Sequence, residues 1–193
     1  TGEIGVCPLF LSLLSSIFLS LSFPLTNFTY MAWFGLVPLL FAIDGKKART
    51  AFFLSWFCGF FFFLGTMYWF VYLINWFGWL VLLGIFILLL YLGPYVAVFG
   101  LLHRYVEKEN MIWRGLVLSA GWVVLEYARG HFLTGFDWAS LGYSQQKHLP
   151  LIQSADVTGV FGLSFLIVIV NVYLKEIIKT LLNRNYRQEI KSG

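Results

Sequence analysis

Residues 51–102 read AFFLSWFCGFFFFLGTMYWFVYLINWFGWLVLLGIFILLLYLGPYVAVFGLL, a stretch without one charged side chain. A helix needs about 20 mostly apolar residues to cross a hydrocarbon core of about 30 Å. The stretch is therefore long enough for two membrane-spanning helices with a short turn between them. Aromatic residues cluster around that turn, as is typical of a membrane interface. They are Tyr68, Trp69, Tyr72, Trp76 and Trp79.

The composition of the whole chain supports the same class of protein. Hydrophobic residues make up 60% of the 193 residues and charged residues only 11%, against about 25% charged in an ordinary soluble domain. Residues 4–43 and 157–174 are two further stretches without charge. These observations exclude a water-soluble fold and predict an all-α integral membrane protein.

We predict six transmembrane helices and a membrane-surface loop between the fifth and the sixth. The predicted spans cover about residues 6–23, 28–43, 51–74, 78–102, 115–127 and 159–178. Gly93-Pro94 is expected to kink the fourth span or to need a neighbouring helix for the carbonyl that proline leaves free. Asn75 and Asn171 are expected at helix ends or in hydrogen bonds between helices.

The domain prediction is one polytopic transmembrane domain over residues 1–182 and a polar cytoplasmic tail over residues 183–193. The chain begins with Thr1 and not with methionine, and it ends in a polar stretch. We therefore expect both ends to be truncation points.

Lysine and arginine residues set the expected orientation, because positively charged loops stay in the cytoplasm. In the six-span arrangement, eleven of the thirteen basic residues fall on one side of the membrane, and only Arg129 and Lys147 fall on the other. The sequence therefore predicts that the N-terminus and the C-terminal tail are cytoplasmic. The same asymmetry explains the net charge of +4, so we predict no binding to nucleic acid.

The sequence contains no pattern that indicates a metal site or a cofactor. His103, His131 and His148 are scattered over both predicted sides of the membrane, and no cluster of Cys or carboxylate residues at metal-ligand spacing accompanies them. Cys7 and Cys58 lie in apolar runs, where a thiol is an inert small hydrophobe. We therefore assign no catalytic residue.

The loop predicted at residues 130–158 is too polar to span a membrane and too aromatic for an ordinary hydrated loop. It contains TGFDW at residues 134–138 and GYSQ at residues 142–145, and WVVLEYARG at residues 122–130 precedes it. Such a segment suits the surface of the outer leaflet. The candidates for contact with lipid or substrate are Glu126, Arg129, Thr134, Phe136, Trp138, Tyr143 and Gln145.

Two interpretations are open for each polar candidate. Glu126 and Arg129 are three residues apart, a spacing that brings helix side chains together. They form a structural ion pair, or Arg129 binds a phospholipid phosphate or organises the outer loop. Tyr143 and Gln145 either bond within the loop or donate to a lipid ester or headgroup.

The pattern W-x-x-x-E-x-x-R-G-x-x-x-T-G-F-x-W at residues 122–138, followed by G-Y-S-Q, resembles the signature of apolipoprotein N-acyltransferases. SFPLTNFTYMAWFGLVPLL at residues 22–40 is similar to the first hairpin of that family, and GVFGLSFLIVIVN at residues 159–171 is similar to its sixth span. Asp137 departs from the pattern, because the family usually has proline there.

The resemblance implies a bacterial inner-membrane enzyme that transfers a fatty acyl chain from a phospholipid to the N-terminal diacylglyceryl-cysteine of lipoproteins. In the family, a cysteine nucleophile, a glutamate base and a lysine belong to a periplasmic nitrilase-like domain that follows a seventh span. We expect that domain to lie beyond this chain. The chain would then anchor the catalytic domain and help to form the lipid entrance, and it would be inactive alone.

A second interpretation is a non-catalytic membrane scaffold for a partner enzyme such as a polyprenol-phosphate glycosyltransferase. A small channel or transporter is a third class, for which several charged residues within the spans or paired broken helices are typical. The sequence has only Glu126 and one Gly-Pro pair of that kind.

Overall fold

The computed structural model describes residues 6–24, 26, 28–133 and 135–192, with side chains described as far as residue 183, and all regular elements in this part of the chain are helical. The α-helices are α1 (Pro8–Leu21), α2 (Ala32–Gly35), α3 (Val37–Ile43), α4 (Ala48–Thr66), α5 (Ile74–Phe77), α6 (Leu80–Val106), α7 (Met111–His131) and α8 (Leu149–Ser192). Short 3-10 helices cover Thr29–Met31, Tyr68–Leu73 and Leu141–Gln145. The predicted all-α class is confirmed.

Three helices of the described chain are long and apolar enough to cross a membrane: Ala48–Thr66, Leu80–Val106 and Leu149–Asn183. Pro8–Leu21 and Thr29–Ile43 are shorter apolar helical segments. The exact number of six spans therefore stays a prediction.

Helix α4 ends before the C-terminal bound of the third predicted span. Residues 51–74 were expected to form one helix, but α4 ends at Thr66. The Thr66 hydroxyl donates to the carbonyl oxygens of Phe62 and Phe63, at 3.0 and 3.2 Å, and so competes with backbone amides for the acceptors of the last turn. The chain then continues as the 3-10 helix Tyr68–Leu73.

Helix α7 is longer than the fifth predicted span, and a break in the helical backbone falls where the sixth span was predicted to begin. Helix α7 exceeds residues 115–127 at both ends, and Asn110 caps its N-terminus by accepting a hydrogen bond from the Trp113 amide at 2.8 Å. Helix α8 consists of two helical stretches that meet at Gly159, and the first of them, from Leu149, forms the end of the predicted surface loop. Gly159, with φ 66° and ψ 179°, interrupts the helical backbone, and glycine tolerates this conformation without strain.

Helix α6 continues through Pro94 and packs closely against α4. A Cβ atom on Gly59 of α4 would lie 2.9 Å from the carbonyl oxygen of Gly93. A Cβ atom on Gly93 would lie 3.0 Å from the Trp56 indole nitrogen. The two backbones can approach each other this closely only because both positions are glycine.

Helix α3 lies at the centre of the molecule, and α1, α4, α6 and α8 pack around it. Its sequence VPLLFAI has no polar side chain, and six of its seven residues are buried. A helix that is apolar on every face is stable only where neighbours cover all of it.

Asn171 of α8 repairs the break between α2 and α3. The Leu36 amide donates to Asn171 Oδ1, and Asn171 Nδ2 donates to the Ala32 carbonyl oxygen, both at 2.8 Å. In a continuous helix, the Leu36 amide and the Ala32 carbonyl would bond to each other. The side-chain amide therefore takes the place of one helical hydrogen bond, which confirms the interhelical role predicted for Asn171.

An ionic network closes the end of the molecule where α3 stops and α8 passes. Asp44 accepts hydrogen bonds from Lys175 at 2.7 Å and Lys179 at 2.5 Å, and Arg114 of α7 pairs with Glu176 at 2.7 Å. Burial raises the pKa of Asp44, but the hydrogen bonds and charges of the two lysines outweigh burial and hold the pKa below its ordinary value. We call this end the basic end.

We expect Asn171→Leu to destabilise the protein, because it leaves a buried amide and a buried carbonyl without partners. At about 1–3 kcal/mol for each such group, the melting temperature in detergent should fall by at least about 5 °C. Asn183→Leu, at an exposed position of the same helix, is the control and should change it little. The melting temperatures are measured by circular dichroism on heating. An equal effect of the two substitutions would contradict the bridging role.

Candidate functional site

The candidate site lies at the end of the molecule opposite the basic end, where the last turns of α7 meet residues 135–145. We call residues 135–145 the covering segment. Gly135 and Ala139 adopt φ values of 71° and 61°, which turn the chain back across the helix ends. The backbone amide of Phe136 donates to the Arg129 carbonyl oxygen at 2.8 Å, so the covering segment starts directly against α7.

Glu126 connects α7 to the covering segment. Its Oε1 atom accepts hydrogen bonds from the Trp122 indole at 2.8 Å and from the Leu141 backbone amide at 2.6 Å. The side chain is buried. A buried amide without an acceptor is costly, so Glu126 holds the covering segment in place.

Arg129 is only 3% exposed and bonds to the covering segment. Its Nη2 atom donates to Ser140 Oγ at 3.0 Å, and its guanidinium lies 5.0 Å from the centre of the Phe63 ring. Among the described residues, no ion pair joins Arg129 directly to Glu126; the two side chains bind neighbouring positions, Ser140 and Leu141. The three-residue spacing therefore places both charges on one face without a direct bond between them.

A small cavity lies between Glu126 and Arg129. Its volume is about 20 Å³, and Phe62 and Phe63 of α4, Tyr95 of α6 and Ala139 of the covering segment also line it. A cavity of this size holds about one water molecule. It is too small for a phospholipid headgroup.

Gln145 ties the covering segment to the N-terminal part of the chain. Its Oε1 atom accepts a hydrogen bond from the Trp33 indole at 3.1 Å, and its Nε2 atom donates to the Thr29 carbonyl oxygen at 3.0 Å. The Thr29 hydroxyl also bonds to His148 Nε2 at 2.6 Å. No local sequence pattern points to Thr29, Trp33 or His148, because their partners are more than 110 positions away along the chain.

Aromatic rings cover the outer surface of the site. The Trp138 ring is 52% exposed, and its centre lies 5.0 Å from Trp69, 5.5 Å from Phe70 and 5.6 Å from Phe136. We call these four residues the aromatic cluster. It joins the 3-10 helix Tyr68–Leu73 to the covering segment, so the aromatic turn and the loop motif of the sequence meet in one surface.

Asp137 is the polar centre of the covering segment. Its Oδ1 atom accepts a hydrogen bond from Ser140 Oγ at 3.1 Å, and its Oδ2 atom accepts one from the exposed Tyr143 hydroxyl at 3.3 Å. Partial burial and the charge of Asp137 raise the pKa of Tyr143 above its ordinary value. In the sequence, Asp137 is distinguished only by its departure from the family motif, and this departure is the signal that points to a special role at this position.

The structure divides the predicted site residues into two groups. Glu126, Arg129 and Gln145 are buried beneath the covering segment, whereas Trp138 and Tyr143 are exposed and Phe136 is half-buried. Thr134 lies outside the described residues. Among the described residues, no three His, Cys, Asp or Glu side chains are grouped so that they could hold a metal ion.

The chain is similar in sequence to known proteins over most of its length. The family model for the apolipoprotein N-acyltransferase N-terminal domain matches residues 15–173 of the chain. The apolipoprotein N-acyltransferase of Geobacter metallireducens is 42% identical over 175 residues, which are 88% of this chain and 33% of that protein. The corresponding enzyme of Thermotoga maritima is 33% identical over 189 residues, 91% of this chain and 36% of that protein. The chain thus spans about a third of the length of these relatives.

We expect Glu126→Ala to release the covering segment, because the amide of Leu141 loses its acceptor. Hydrogen exchange at Leu141, measured by mass spectrometry in detergent, should become about tenfold faster or more. Glu126→Gln keeps an oxygen at the position of Oε1 and should stay close to the parent protein. Unchanged exchange in Glu126→Ala would show that the carboxylate does not hold the segment.

Proposed function

The chain belongs to the apolipoprotein N-acyltransferase family, and from this premise we propose that it is the membrane half of such an enzyme. The complete enzyme would transfer a fatty acyl chain from a phospholipid to the N-terminal diacylglyceryl-cysteine of lipoproteins in the bacterial inner membrane. This part would anchor the catalytic domain and help to form the lipid entrance. The family match over residues 15–173 is the observation that carries the proposal.

We assign lipid contact to the exposed members of the site. Trp138 and Tyr143 present an aromatic face with a polar atom, and such side chains favour the boundary between headgroups and acyl chains. The neighbouring rings of Trp69 and Phe70 extend this surface. An acyl chain entering laterally from the outer leaflet would pass over the aromatic cluster.

Arg129 acts in this proposal as a positioning residue for the covering segment and not as a phosphate ligand. Its side chain is almost fully buried, it donates to Ser140, and the cavity beside it is too small for a headgroup. Glu126 and Gln145 have the same role at Leu141 and Thr29. The buried residues thus hold the surface that meets the lipid.

The function is tested by acyl transfer with the complete protein that contains this segment. The purified protein receives a phospholipid with a labelled acyl chain and a diacylglyceryl-cysteine peptide, and mass spectrometry follows the peptide. We expect an increase in peptide mass by one acyl chain. A protein that leaves the peptide unchanged and instead copurifies with a glycosyltransferase would support the scaffold interpretation and refute the enzyme.

We expect Trp138→Ala in the complete protein to raise the KM for phospholipid about fivefold with little change in kcat, because the substitution removes an aromatic contact made before chemistry. Trp113→Ala is the matched control: Trp113 is 53% exposed and Trp138 is 52% exposed, but Trp113 lies at the basic end. An equal change of KM in both variants would remove the reason for placing lipid at the aromatic cluster.

The predicted orientation is tested by labelling single cysteines with a membrane-impermeant thiol reagent on intact spheroplasts. Gln146→Cys and Glu109→Cys, both at exposed positions, are placed in a protein in which Cys7 is replaced by serine and Cys58 by alanine. We expect labelling at position 146 and none at position 109 before lysis. The reverse pattern would overturn the cytoplasmic placement of the basic end.

A further inference from the structure

A groove on the lipid-facing side of α1 and α4 lies apart from the site described above. Leu9 of α1 forms one side, and residues of the first turns of α4 form the rest: Arg49, Thr50, Phe53, Leu54, Trp56 and Phe57. The volume of the groove is about 410 Å³, within the range of about 300–1,000 Å³ that is usual for small-molecule sites.

The groove follows from the way in which α1 and α4 pack. The two helices run parallel, as the contact between their C-terminal ends shows. There, Ser20 of α1 donates to the carbonyl oxygen of Phe62 of α4 at 3.2 Å. Small residues, Ser20 and Gly65, allow close contact at that end. At the beginning of the helices, Leu9 and Phe53 are about half exposed, so a furrow between large apolar side chains is open to the membrane.

The side chains that line the groove are apolar along most of its length, and a positively charged side chain lies at its mouth. Arg49 is exposed, and its guanidinium lies 5.9 Å from the centre of the Phe53 ring. Lys47, two residues earlier, is exposed at the same helix end. None of the described residues that line the groove is acidic. A ligand here needs an apolar chain and an anionic group, and a cationic headgroup finds no counter-charge in the lining.

We propose that this groove binds one anionic glycerophospholipid, with an acyl chain along Leu9, Phe53 and Phe57 and the phosphate group against Arg49. Guanidinium binds phosphate oxygens through two parallel hydrogen bonds, and basic residues next to a membrane span attract anionic lipids. In the predicted orientation, the lipid belongs to the cytoplasmic leaflet. The site is thus separate from the aromatic cluster at the opposite end, and the proposal does not rest on acyl transfer.

The test measures which lipid stays bound when the purified chain leaves its membrane. The protein is exchanged into nanodiscs that contain equal amounts of phosphatidylglycerol and phosphatidylcholine, and native mass spectrometry counts the lipids retained on release. We expect one retained phosphatidylglycerol, preferred about fivefold over phosphatidylcholine. Arg49→Ala should abolish this preference. Lys108→Ala removes an exposed charge from the same end but outside the groove and should retain it.

A second variant separates the groove from general surface charge. Leu9→Trp fills the furrow and keeps Arg49, so it should reduce the retained phosphatidylglycerol at least about fivefold, as expected if the chain and the headgroup bind together. Full retention in Leu9→Trp would mean that the headgroup binds without the groove and would overturn the proposal. An equal loss of preference in Arg49→Ala and Lys108→Ala, or no preference in the parent protein, would overturn it as well.

Discussion

The hydrogen bonds of Asn171 are the interaction on which the centre of the structure depends. A bilayer offers no water to an unpaired backbone group, so a break in a buried apolar helix must be satisfied by protein atoms. Pro38 stands in the first turn of α3 and cannot donate a backbone hydrogen bond. Asn171 binds the two groups separated at the break, and Ser15 of α1 donates to the carbonyl of Gly35 beside it. Helices far apart in the chain thus complete the central helix.

The two ends of the bundle are held by different kinds of interaction. At the basic end, carboxylates and lysines form a network in which Lys175 is 1% exposed and bonds to Asp44 and Glu176. At the other end, hydrogen bonds of the buried side chains of Glu126, Arg129 and Gln145 hold the covering segment, and an aromatic surface around Trp138 covers the helix ends. The ion pairs at the basic end fix helices to helices, whereas the hydrogen bonds at the aromatic end fix a segment of chain that faces the proposed lipid path.

The apolar stretches without charge were sufficient to predict the helical class and the approximate places of the helices. The ends of the helices were predicted less well, because they depend on local hydrogen bonds such as that of the Thr66 hydroxyl. The residues around GYSQ were recognised as a unit, but their partners were not, since Gln145 bonds to Thr29 and Trp33 from the other end of the chain. Periodicity and composition contain no information on such distant pairs. A spacing of three residues indicated that Glu126 and Arg129 share a helix face, but not that each would bond to the covering segment.

The close contact of α4 and α6 depends on two glycines, which have no side chain beyond a hydrogen atom. Gly59 and Gly93 let two backbones touch, so this contact is sensitive to addition and not to removal of atoms. The many phenylalanines around it can exchange with other large apolar residues during evolution at modest cost. A single methyl group at either glycine would push α4 and α6 apart. The displacement would extend to every helix that packs against this pair. We therefore expect substitutions to accumulate freely on the lipid-facing surface during evolution and to be rare along the line of contact between α4 and α6.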